Sequence, residues 1–103
     1  MEVIRIYECR APLGQNDPDA LIATLQAQLA AVMRLHPQLR GAQLRASDGF
    51  LIMTLRMCAR DRSHVLHKAK LVATRLLQRA KIDITTATLV LVGVPADPRS
   101  VKA

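Results

Sequence analysis

The sequence predicts an α+β domain in which a four-stranded antiparallel sheet carries two helices on one face. Three observations lead there. Apolar residues alternate near the N-terminus, they recur at helical spacing in two later stretches, and a Ser-Asp-Gly turn separates two strand-like runs between those stretches. A chain of 103 residues fits one domain, and folding at that size buries roughly 65% of the unfolded surface. Half of the residues are apolar, yet Tyr7 and Phe50 are the only aromatics, so the core is expected to be aliphatic.

Val3 to Cys9 alternates at the period of a half-buried strand that ends near Pro12, and the more apolar parity predicts Ile4 and Ile6 toward the helices. Asp17 followed by Pro18 reads as an N-cap and a first helical position. From there Leu21, Ile22, Leu25, Leu29, Val32 and Met33 form one stripe, and the helix is predicted over 18–36, stopped by Pro37. Arg40 to Ala46 and Phe50 to Ala59 flank Ser47-Asp48-Gly49 and predict a hairpin, because Asp and Gly tolerate the positive φ of a tight turn. Asp61 or Ser63 can cap a second helix, whose stripe is Val65, Leu66, Ala69, Val72, Ala73, Leu76, Leu77 and Ala80. Thr86 to Val94 is β-branched and apolar, hence a final strand, and Pro95 and Pro98 end regular structure.

This order resembles the ferredoxin-like split βαβ arrangement, in order and element length only, over residues 2–95. The resemblance implies right-handed crossovers with the first and third strands central. The single domain is expected over 1–95, with a flexible tail over 96–103. The fold hosts enzymes, metallochaperones, RNA-binding modules and regulatory domains, so it assigns no function by itself.

Charge is unevenly distributed. The net charge is +7, and residues 39–82 hold ten of the fifteen basic side chains against two acids. That balance suggests an anionic partner. Arginine outnumbers lysine eleven to four, a ratio that GC-rich coding also produces. No apolar run approaches the about eighteen residues of a membrane span, and the N-terminus lacks a signal-peptide layout, so a cytoplasmic protein is expected. Cys9 and Cys58 fit no paired spacing and read as buried free thiols.

Two sets of basic residues are candidate contacts for nucleic acid or an acidic partner. With Ile4 and Ile6 inward, Arg5 and Tyr7 would share the open sheet face with Gln43, Arg45, Ile52, Thr54 and Arg56. In composition this resembles a surface for single-stranded nucleic acid, although RNA-recognition modules carry stacking aromatics where this chain has Ile52 and Thr54. On the second helix Lys68, Arg75 and Arg79 fall within about 40° of one another, with His64 beside them. Such a row either neutralises phosphates or is a solvated polar face.

His64 and His67 are three apart, but a metal site would need further ligands, and surface or capping roles are the simpler reading. Paired carboxylates, a glycine-rich phosphate loop and a nucleophile with an assignable base are not found as motifs, and no cofactor is implied. From Ala20 to Met33 the first helix has no charged residue. Ala23, Ala27, Ala30 and Ala31 lie opposite its apolar stripe, and with Phe50 and Ile52 they are candidate interface positions. The reading that follows is a small basic non-enzymatic assembly module, a homo-oligomer and most simply a dimer, that binds an acidic macromolecule. A nucleic-acid-binding protein and a small-ligand or enzymatic domain remain the alternatives.

Overall fold

A computed structural model describes residues 2–93. Strand β1 (Val3–Pro12) is followed by α1 (Pro18–Leu35), β2 (Leu39–Ser47), β3 (Phe50–Ala59), α2 (Arg62–Arg79), a 3₁₀ turn (Ile84–Thr86) and β4 (Thr88–Gly93). The strands are antiparallel in the order β2-β3-β1-β4. This is the ferredoxin-like α+β fold, with β1 and β3 central. The expected tail lies outside the described residues.

The hairpin forms where the turn residues require it. Asp48 (φ 54°) and Gly49 (φ 81°) both take positive φ between the paired residues Ser47 and Phe50, a two-residue turn whose twist matches that of the strands. Asp61 caps α2: its carboxylate accepts the His64 N–H at 2.8 Å and the Ser63 hydroxyl at 2.9 Å. Asp17 stands at the N-cap of α1 but makes no capping hydrogen bond with its side chain, and Pro18, which has no N–H to satisfy, opens that helix instead. The expected strand from Thr86 starts two residues later. Asp83 accepts from the Thr85 N–H at 2.9 Å and its hydroxyl at 2.7 Å, and that turn consumes Ile84 to Thr86.

One core lies between the sheet and the helices. It joins Leu51, Met53, Leu55 and Met57 of β3 to Leu39 of β2, to Leu21, Leu25 and Val32 of α1, and to Val65, Ala69, Val72, Ala73, Leu76 and Leu77 of α2. Leu66, read as part of the α2 stripe, is instead 39% exposed. β1 contributes Tyr7, Cys9 and Ala11, which reverses the parity expected from its first residues. Register explains the reversal: Tyr7 pairs with Leu55 and Cys9 with Met53, so the heavy apolar row of β3 sets which side of β1 is covered. Ile4 and Ile6 therefore take the open face, and Arg5 and Tyr7 take the helix side.

Candidate interaction surfaces

The open face of the sheet can be read off the pairing. One cross-strand row runs Arg45, Ile52, Arg10 and Thr88, the next Gln43, Thr54, Glu8 and Val90, and a third Gly41, Arg56, Ile6 and Gly93. Among the described residues no helix covers this side, yet Ile52 is only 2% exposed and stands apart from the core cluster. Arg45 and Arg10 are its cross-strand neighbours on that face, and Phe50 and Thr54 flank it along β3. Arg10 is paired with Glu8 at 2.7 Å. Among the described residues Arg45 and Arg56 have no carboxylate partner. A hollow of about 370 Å³ lies over Ile6, Gly41, Gln43, Thr54 and Arg56, and Phe50 and Val90 add exposed apolar surface at two other points.

This face differs from the expected one at β1. Arg5 does not join Arg45 and Arg56; it stands on the helix side in register with Met57 and donates to the Ile4 carbonyl at 2.8 Å. Tyr7 is buried in the core, where burial raises its phenol pKa against the opposing influence of Arg5, so it offers no stacking platform. Arg10 takes the place expected of Arg5. The signal was present in the chain: Arg10 shares the parity of Ile4 and Ile6 once the strand continues to Pro12.

The second surface is the groove between the helices, a space of about 350 Å³ lined by Val32, Leu35, His36, Arg75 and Arg79. Arg79 reaches across to α1 and donates to the Gln28 side-chain oxygen at 3.0 Å. Burial, then Lys68 and Arg75, lower the pKa of His36, which ties these three basic side chains to one locality. Arg75 and Arg79 line the groove, and Lys68 shares their face of α2 as the helical spacing suggested. His64 does not join them; it lines a separate hollow with Glu2, Gln38, Arg40, Cys58 and Arg60. His36 takes its place, and its position one turn beyond Val32 was the clue to it.

The thiols are held in protonated form. Burial pushes Cys9 up to about 11. Cys58 is raised by burial and by hydrogen bonding and charge from Glu2, against an opposing influence of Arg40. Neither has the depressed pKa of an activated nucleophile. On α1, Ala23, Ala27, Ala30 and Ala31 are all exposed, opposite the buried Leu21, Leu25 and Val32. No helix among the described residues is long and apolar enough to cross a membrane.

No family model matches the chain, and no curated protein sequence does. Among solved structures, Rv0793 from Mycobacterium tuberculosis is similar over 97% of this chain and 100% of its own, with a TM-score of 0.51 and 19% identity. A chain from Burkholderia cenocepacia, provisionally described as an amidohydrolase/peptidase, is similar over 98% of this chain but 31% of its own, at 16% identity and a TM-score of 0.45. The first likeness is one of fold alone, and the second adds nothing to it.

Proposed function

We propose that this protein is a small basic assembly module without enzymatic activity, a homodimer that presents cationic surface to an acidic macromolecule. The observation that carries the reading is a sheet that, among the described residues, is covered on one side only, and whose other side bears Ile4, Ile6, Phe50 and Val90 among its arginines. Arg10 and Arg56 stand on the two central strands and Arg45 on an edge strand, and exposed apolar side chains set among arginines are a composition at which protein chains associate. Two such sheets pack about 10 Å apart, and a two-fold axis would bring the same apolar residues together from both copies.

Light scattering after size exclusion tests the reading. The expected mass is twice the 11.4 kDa of one chain at micromolar concentration. Ile6→Lys together with Val90→Lys should shift it to the monomer, because each puts a further positive charge on a face that already carries Arg10, Arg45 and Arg56. Ala27→Glu distinguishes the alternative geometry through the α1 alanines, which that change would disrupt while leaving a sheet-mediated dimer intact. A wild-type protein that runs as a monomer throughout this range would refute the assembly reading.

A further inference from the structure

The two walls of the α1–α2 groove differ in kind. α1 supplies Gln28, Val32 and Leu35, and it bears no charge from Ala20 to Met33. α2 supplies Arg75 and Arg79, with Lys68 on the same helix face beyond them, and none of the three has a carboxylate within salt-bridge distance among the described residues. Leu35 stands on the rim at 68% exposure, the highest of any large apolar side chain described. The basic row runs from residue 68 to residue 79, about 16 Å along the helix at 1.5 Å per residue. That is too long for one phosphate or carboxylate group. Its steps of seven and four residues match the repeat at which a second helix presents a stripe of side chains.

We propose that the α1–α2 groove docks an acidic amphipathic helix of a partner protein, with its carboxylates along Lys68, Arg75 and Arg79 and an apolar side chain against Leu35. Charge complementarity selects the acidic stripe, and the uncharged wall selects the apolar one. A nucleic-acid backbone fits less well, because it would leave Leu35 and the α1 wall facing phosphates with no cation to meet them. The inference rests on the acidic-partner part of the proposed function and is independent of the dimer.

The test uses the full chain and a fluorescein-labelled helical peptide of about 18 residues, or about 27 Å, with glutamates along one stripe and leucines along the next. A scrambled peptide of the same composition and a single-stranded oligonucleotide serve as comparisons. The designed peptide should bind at least about tenfold tighter than the scrambled one, and Arg75→Glu with Arg79→Glu, or Leu35→Ser alone, should remove most of that advantage. Arg60→Glu with Arg62→Glu makes the same charge change at exposed positions outside the groove and the open sheet and should leave binding unchanged. The ring resonances of His36 should move on binding to the native chain. Equal affinity for both peptides, or equal loss from the two double variants, would overturn the groove while leaving an acidic partner in place. Preference for the oligonucleotide, or no binding of either peptide at low salt, would overturn the acidic-partner reading as well.

Discussion

Lys81 holds a left-handed backbone, φ 59°, at the position where glycine most often closes a helix. The closure is a Schellman motif: the Ile82 N–H donates to the Leu77 carbonyl at 3.0 Å and the Lys81 N–H to the Gln78 carbonyl at 3.1 Å. The side chain of Lys81 therefore imposes backbone strain that these bonds must offset. Lys81→Gly should stabilise the protein by up to about 1 kcal/mol, seen as a higher urea midpoint at unchanged slope. At this scale the sequence was less legible in β1. Ile4 and Ile6 make one parity apolar while Arg5 and Tyr7 share the other, and the deciding side chains are Cys9 and Ala11, which are small rather than strongly apolar. What orients the strand is its register against Leu55 and Met53, a contact nearly fifty residues away that local alternation does not encode.

Among the elements, α2 was the most legible, because a stripe sustained over five turns and an Asp at its start leave one reading. Asp61 supplies that start, and the bonds it accepts from the His64 N–H and the Ser63 hydroxyl hold its carboxyl below the usual 3.8. A carboxyl with a depressed folded-state pKa stabilises the fold above its unfolded pKa and loses that contribution as pH falls through the folded value. Asp61→Ala should therefore lower the melting temperature at neutral pH, and its gap from wild type should close as the pH falls below 3.8. Asp61→Asn, which can still cap, should retain most of the stability. The 3₁₀ turn before β4 was not legible. Three residues are too few for any periodicity to show, and the run Thr86 to Val94 carries β-branched residues straight through the boundary.

For the whole molecule, the fold divides what the sequence presents as one basic segment. Arg45 and Arg56 stand on the open sheet, while Lys68, Arg75 and Arg79 stand on the opposite layer beside α1. That division is invisible in a linear count, because β3 and α2 are adjacent in the chain but expose opposite sides of the domain. It also gives the two proposed surfaces opposite responses to salt. Two open faces, each with Arg10, Arg45 and Arg56 against one Glu8, repel when they meet, so added salt should tighten self-association between about 50 and 500 mM. Sedimentation equilibrium across that range checks this, and a dimer that loosens with salt would place the interface elsewhere. The bracketing of Ile52 bears on what those arginines are for. Among the described residues no helix lies above this face, and Arg10 and Arg45 are the cross-strand neighbours of Ile52, so an arginine stem there serves for its carbon as well as for its charge. Two serines in their place would relieve the repulsion and uncover Ile52 in the same step, and for that reason the cationic character of the sheet cannot be removed without also changing how dry it is.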